Sequence, residues 1–347
     1  MYAVSKCAPQ EALRNLDNAF VHFFRRVKLK KTGAFRGPVG YPRFKSRKNG
    51  LGNFRLTGAI RVNARHIQLP RLGKVRLKEG GYLPVDGTDN VKVLSATVSE
   101  RAGRWFVSLQ VEQGIPDPKP AIKPVVGIDL GITTLATASD GMIVPNPRAL
   151  TRVMRKVKRL QRRASRRELG SANRRKANRR VTQTYARATN IRVDVIHKAT
   201  TRLAKTKSVI VLEDLHVAGL LRNHALAGAI ADASWREFRR QLEYKAKWYG
   251  SQVVFADRFY PSSKRCHVCG LVRATLDLAT RTWSCDGCGT EHQRDLNAAL
   301  NLEYWLHSST ASSAGSDVCR EERSMSGPHG RQVLLGEAET DDRLASC

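Results

Sequence analysis

Four cysteines in this chain are spaced for one task. Cys266 and Cys269 form one C-x2-C pair, Cys285 and Cys288 form a second, and fifteen residues lie between the pairs. Each short loop can turn two sulfurs toward a common point, and four thiolates close a tetrahedral zinc site. A shell filled by sulfur leaves no open position for a substrate, so the expected Zn2+ is structural. Gly270, Gly287 and Gly289 suit the tight knuckles, because glycine accepts positive φ. His267 and His292 lie near the cassette, but the coordination shell does not need them.

The second chemistry is carried by carboxylates. Asp129 ends the apolar run Val125–Asp129, Glu213 ends Val209–Leu212, and Asp295 opens a helical pattern seven residues after Cys288. One acid at a strand end is an ordinary cap or surface residue. Three at the ends of adjacent elements can converge on one point of an α/β sheet, where their repulsion raises their pKa values. With Mg2+ or Mn2+ they become hard oxygen ligands for two ions about 3.5–4 Å apart, one activating water and the other stabilising a leaving 3′ oxygen. Asp214 follows Glu213 directly and so points to the opposite strand face, while Asp257, at another strand end, is an auxiliary candidate. A metal knuckle set among separated carboxylates, in a chain of net charge +31, points to a metal-dependent nuclease.

The elements that must position these groups follow from periodicity. Ala8–Lys31 has helical spacing, with Leu13, Leu16, Phe20, Phe23 and Phe24 on one side. A Gly/Pro/Lys-rich loop spans Lys30–Asn53, then strand-like alternation covers Ala59–Leu69, Val75–Leu77 and a hairpin Val93–Ser99 and Trp105–Val111. Pro116, Pro118, Pro120 and Pro124 mark a boundary. Beyond it come the strand Val125–Asp129, a meander Thr134–Ala138 and Met142–Val144, and a helix Ala177–Ala204. A strand Ser208–Glu213, a helix Ser234–Tyr249, a strand Gln252–Ala256 and a last helix Asp295–Leu306 complete the pattern. The Ser/Gly/acid-rich segment Ser308–Cys347 reads as disordered. The expected division is an N-terminal nucleic-acid-binding domain over 1–123 and a nuclease domain over 124–260 with a basic helical insertion at 148–205. A zinc ribbon over 261–290, a final nuclease helix over 291–307 and a tail over 308–347 follow.

Charge names the partner. The chain holds 61 Lys+Arg against 30 Asp+Glu, and the excess lies outside the last forty residues, where 4 basic side chains meet 7 acidic ones. Between Arg152 and Arg180 there are 14 Lys/Arg and a single acid, Glu168. Like charges at i,i+4 repel along an isolated helix, and backbone phosphates relieve that repulsion. Arg162, Arg163, Arg166, Arg167, Arg174, Arg175, Lys176, Arg179, Arg180 and, near the cassette, Lys264 are therefore the expected nucleic-acid contacts. Phe35, Tyr41, Phe44 and Phe54 interleave with Arg36, Arg43, Lys45 and Arg55 and offer stacking, or core packing. No apolar run reaches about 18 residues, so no membrane partner is expected. Seven cysteines, four of them in one metal pattern, fit a reducing cytoplasm, with the protein associated with the nucleoid. Cys7, Cys319 and Cys347 read as ordinary thiols. Phosphate-loop, H-E-x-x-H and G-x-S-x-G patterns are absent, as is a histidine pair of the kind that serves a tyrosine transposase.

Several segments together resemble the TnpB/OrfB family of insertion-sequence proteins, which are related to type V CRISPR nucleases. They are Gly127–Gly131 (GIDLG), Asn173–Ala177 (NRRKA), Val211–Leu215 (VLEDL), Phe259–Lys264 (FYPSSK) with the cassette after it, and Arg294–Ala299 (RDLNAA). The resemblance covers about Ala8 to Leu306. It implies an α/β architecture: an RNase H-like (RuvC) nuclease domain with an inserted zinc ribbon, preceded by a partial β-barrel and helical N-terminal domain. It also implies Asp129, Glu213 and Asp295 as Mg2+ or Mn2+ ligands, and RNA-guided cleavage of a DNA target. The guide RNA would come from the transposon end, with a companion transposase as a further partner. Family members begin with a strand and helices upstream of what is here Ala8, so the chain reads as shortened, and Gln293 stands where the family often has an acid. The contrasting expectation is a non-catalytic or decayed DNA- or RNA-binding regulator of transposition; strand transfer in place of cleavage is a third.

Overall fold

A computed structural model describes residues 6–43, 52–79, 91–118, 122–277 and 279–313. Phe44, Lys45 and the tail beyond residue 313 lie outside them. The chain divides into two compact units, broken between Ile115 and Pro116.

The first unit begins with helix α1 (Cys7–Lys31), whose last turn carries Lys28, Lys30 and Lys31 where the helix dipole favours cations. Strands β1 (Asn53–Thr57), β2 (Arg61–Val62), β3 (His66–Leu69), β4 (Gly73–Arg76), β5 (Val91–Arg101) and β6 (Arg104–Gln113) follow. They form two antiparallel three-stranded sheets, ordered β1-β5-β6 and β2-β3-β4. Leu56, Ile60, Val62, Ile67, Leu69, Ala96 and Val98 form their shared core. The expected hairpin is present and longer than its apolar alternation, turning at Ala102-Gly103. The expected helix is present, but its apolar side is largely uncovered: only Cys7 is buried, while Leu13, Leu16 and Phe24 are exposed. Periodicity marks which side of a helix is apolar, not whether another element covers it.

The second unit is built on one sheet. Strands β7 (Val126–Asp129), β8 (Thr134–Ala138) and β9 (Ile143–Pro145) form an antiparallel meander; helices α2 (Ala149–Ser165) and α3 (Ala172–Thr206) then lead to β10 (Val209–Glu213). Helices α4 (Val217–Leu220), α5 (His224–Ala233) and α6 (Trp235–Tyr249) precede β11 (Gln252–Ala256), and the chain continues through β12 (Thr282–Ser284), β13 (Glu291–Gln293) and α7 (Arg294–Ser313). The sheet order is β11-β10-β7-β8-β9, with β10 parallel to both of its neighbours. Parallel strands are buried on both faces, which is why Ile210, Val211 and Leu212 read as one apolar run. One face packs Val126, Ile128, Ile210 and Leu212 against Ile196 and Leu203 of α3 and Phe238 and Leu242 of α6. On the other, Val211 and Ala256 meet Leu302 of α7.

The basic stretch with its fourteen Lys and Arg side chains is two helices. α2 ends near Arg166, α3 begins at Ala172 with Ser171 as its cap, and α2 packs along α3. No side chain of its own caps α2. Buried Asp232 of α5 does so instead, accepting from the Leu150 and Thr151 amides at 3.0 and 2.9 Å and from the Thr151 hydroxyl. Arg192 lies 3.6 Å from the same carboxylate. This anchors the basic hairpin to the core. Residues 308–313 belong to α7, where disorder was expected from Ser308; the rest of that expected tail lies outside the described residues. No helix among the described residues is long and apolar enough to cross a membrane.

Candidate active site and zinc knuckle

Strand register brings two of the three carboxylates together. Val211 pairs with Gly127 and Leu212 with Ile128, so Glu213 and Asp129 end adjacent parallel strands. Side chains alternate along a strand. Asp129 therefore shares the face of Gly127, and Glu213 that of Val211, which is the face α7 covers. Asp295 stands in the first turn of α7, where the helix dipole favours an acid. Gln293, in the place of the expected acid, accepts from the Leu296 amide at 2.8 Å and so caps that turn. Asp214 points the other way, as alternation requires, and is held by Arg239 and Arg258. Two guanidinium hydrogen bonds keep its pKa below the ordinary value. Asp257 is exposed just beyond the end of β11.

The electrostatics follow from the convergence. Burial raises the Asp129 pKa well above its ordinary value, and the charges of Glu213 and Asp295 raise it further, while Arg294 and Arg281 oppose them. Arg281 lies 3.8 Å from Asp295 and donates to the Thr133 hydroxyl at 3.3 Å. Glu213 accepts a hydrogen bond from the hydroxyl of Ser262. Arg281 and Ser262 were not among the expected site residues. Ser262 lies within the FYPSSK segment, but neither has a spacing that reveals its partner.

A raised carboxyl pKa means that the folded state holds its proton more tightly than the unfolded state. Metal-free stability therefore falls as pH rises through that raised value. Asp129→Asn is expected to raise the melting temperature of zinc-loaded, magnesium-free protein at neutral pH. The gain should vanish near pH 4, about the ordinary aspartate pKa, where the wild-type acid also holds its proton. Thermal melts across pH check this, and a lower melting temperature for the variant at neutral pH would contradict the repulsion described.

The four cysteines of the cassette come together. The four sulfurs of Cys266, Cys269, Cys285 and Cys288 lie within 4.8 Å of one another. Cys266 and Cys288 Sγ are 3.6 Å apart, and those of Cys269 and Cys285 are 3.5 Å apart. A tetrahedron with Zn–S bonds of about 2.3 Å has edges of about 3.8 Å, so the four sulfurs fit Zn2+ with little adjustment. Gly270 and Gly289 take the positive φ of the knuckles, while Gly287 does not. Hydrogen bonds with the Thr290 hydroxyl and backbone lower the Cys288 thiol to about 6. His292 Nε2 sits 3.0 Å from Cys266 Sγ, beside the cluster rather than within it.

The expected nucleic-acid residues are placed unequally. Arg162, Arg163, Arg166 and Arg167 line, with Arg159, a cleft of about 540 Å3 at the end of α2. Lys176, Arg179 and Arg180 are exposed along α3. Arg174 and Arg175 donate to the Arg167 and Gly170 carbonyls and so brace the turn between the two helices. Lys264 donates to the Ala274 carbonyl at 3.1 Å, a tie within the ribbon. Tyr41 stacks on Phe23 at 4.6 Å, and Phe54 is exposed on β1.

Residues 108–224 match the family model described as "Probable transposase", and residues 235–302 match "Cas12f1-like, TNB domain". A Streptomyces pristinaespiralis protein named "Putative RNA-guided DNA endonuclease" is 42% identical over 326 residues, covering 93% of this chain and 76% of that protein. The chain belongs to the TnpB/OrfB family. Another member, the Escherichia coli K12 protein named "Putative RNA-guided DNA endonuclease InsQ", is 33% identical and covers 84% of this TnpB-family chain and 72% of its own length. A cryo-EM structure of a Cas12f1–sgRNA–target DNA complex aligns with 17% identity and a TM-score of 0.44, over 62% of this chain and 46% of that one.

Proposed function

We propose that this protein is a transposon-associated, RNA-guided, divalent-metal-dependent DNA endonuclease. The observation that carries the reading is the convergence of Asp129 and Glu213, at the ends of the interior strands β7 and β10, with Asp295 in the first turn of the helix α7 that covers the same face. The sheet order, three antiparallel strands followed by two parallel ones, supports an RNase H-like (RuvC) fold for the second unit. The two small sheets of the first unit support a partial barrel. In this reading residues 1–123 bind nucleic acid, 124–260 and 291–307 form the nuclease, and 261–290 form the zinc ribbon.

Three hard-oxygen donors, one of them driven toward its neutral form by burial and by the charges of the other two, suit Mg2+ or Mn2+. Bound there, a cation pair supplies Lewis acidity at the scissile phosphate and neutralises the carboxylates. Arg281 adds a positive charge beside Asp295, within reach of a phosphate oxygen. The arginine cleft of α2 and the exposed cations of α3 hold backbone phosphates of guide RNA or DNA target without reading bases. Sequence is read by guide pairing, as in other RNA-guided effectors. The protein works in the cytoplasm on nucleoid DNA, with a companion transposase moving the element.

The test is retargeting. Purified with a transposon-end RNA carrying a chosen guide, the protein is expected to cut a matching duplex in Mg2+, and the cut should move when the guide is changed. Cutting that ignores the guide, or guide-dependent binding without cutting, would contradict the reading.

A further inference from the structure

Among the described residues, Glu213 is the one carboxylate of the three whose orientation is fixed by a neutral donor. Ser262 is buried, its relative exposure 3%, and its hydroxyl donates to Glu213 Oε1. Among the described residues no hydrogen bond engages Oε2, which leaves that oxygen for another ligand.

Ser262 is itself held on all sides. Its amide donates to the Tyr260 carbonyl at 2.8 Å, and its carbonyl accepts from Asn301 Nδ2 at 2.8 Å. Asn301 is fully buried on α7 and also donates to the Arg265 carbonyl at 2.6 Å. One helical turn earlier, Asn297 donates to that same carbonyl at 2.7 Å and accepts from the His267 amide at 3.1 Å. The 262–267 peptide thus touches Glu213 at one end and enters the zinc knuckle at Cys266. Along its length it is clamped to α7, the helix that carries Asp295.

We propose that Ser262 is a positioning residue for the active site: its hydroxyl turns the Glu213 carboxylate to take a divalent cation, in register with Asp295 through the peptide that α7 clamps. This rests on the reading of Asp129, Glu213 and Asp295 as the cation site. A donor one step behind a metal ligand typically changes metal affinity about 10–100-fold when removed, because the ligand loses its orientation. The hydroxyl, not the side-chain volume, is the active feature. Threonine keeps it, whereas valine keeps the shape of threonine and loses it.

The experiment is Mn2+ titration of the zinc-loaded full chain without nucleic acid, followed by calorimetry, with zinc content and thermal melting recorded for each variant. Ser262→Ala and Ser262→Val are expected to bind Mn2+ at least tenfold more weakly than wild type, and Ser262→Thr within about threefold of it, all retaining zinc. In a Glu213→Gln background, adding Ser262→Ala should weaken binding little further. The proposal is overturned if Ser262→Val and Ser262→Thr bind Mn2+ alike. Loss of zinc or of the cooperative melt in both Ser262→Ala and Ser262→Val also overturns it, since the hydroxyl would then serve the fold. Wild-type Mn2+ binding by both Glu213→Gln and Asp129→Asn would instead refute the cation site itself.

Discussion

Gly127→Ala should reduce DNA cleavage by about a hundredfold or more while leaving zinc in place, because misplacing reacting groups by about 1 Å has that effect. The reason is the closeness of α7. A β-carbon added at Gly127 would stand 2.1 Å from the Ala299 carbonyl oxygen, 2.6 Å from the Glu303 amide nitrogen and 2.9 Å from the Leu302 β-carbon. Two of those atoms are helix backbone, so no rotamer change relieves the overlap. Either α7 lifts off the sheet, carrying Asp295 with it, or β7 bends and moves Asp129. Overpacking of this kind costs about 1–3 kcal/mol, which a melt will register beside the larger kinetic loss. Cleavage time courses with bound zinc measured alongside separate this displacement from collapse of the ribbon. Wild-type cleavage by Gly127→Ala would mean that α7 need not lie so close.

Removing zinc should be as severe by a different route. The ribbon among the described residues rests on one short hairpin, β12 with β13, and on a small cluster of Cys266, Trp283 and Cys285. Little apolar area is buried there, so metal binding supplies the folding free energy of such a module. Cys285→Ser is expected to bring zinc below one ion per chain. It should also free the 262–267 peptide, with its bonds to Asn297 and Asn301, and loosen the start of α7 that follows β13. Metal analysis and cleavage assays should fall together. Zinc lost with cleavage intact would separate the knuckle from the active site.

The carboxylates were legible because each closes or opens an element with its own period. Short apolar runs ending in Asp129 and Glu213 read as buried strands, and alternation predicted that Asp214 would face away, where Arg239 holds it. The cassette was legible because C-x2-C spacing is a local property of two turns. Contacts between elements remote in sequence were not. Ser262 lies 49 residues from Glu213, and nothing near either one announces the hydrogen bond. The glycine of the GIDLG segment gave no sign that a helix 172 residues later would lie against it, because glycine is equally at home in turns. Helices α4 and α5 went unread for a simpler reason: α4 is four residues long, and α5 is alanine-rich with weak patterning. The exposed side of α1 shows the opposite limit, a strong apolar pattern with little of it buried.

The central claim is that Asp129, Glu213 and Asp295 cut DNA with the help of divalent cations. It is tested most directly by comparing wild type and Asp129→Ala, each purified with its guide RNA and matched in zinc content, on a supercoiled target in Mg2+. The account predicts nicking and linearisation by the wild type and none above background by Asp129→Ala, with guide-dependent target binding kept by both. Equal nicking by the two proteins, or none by the wild type while it binds its target, would contradict it.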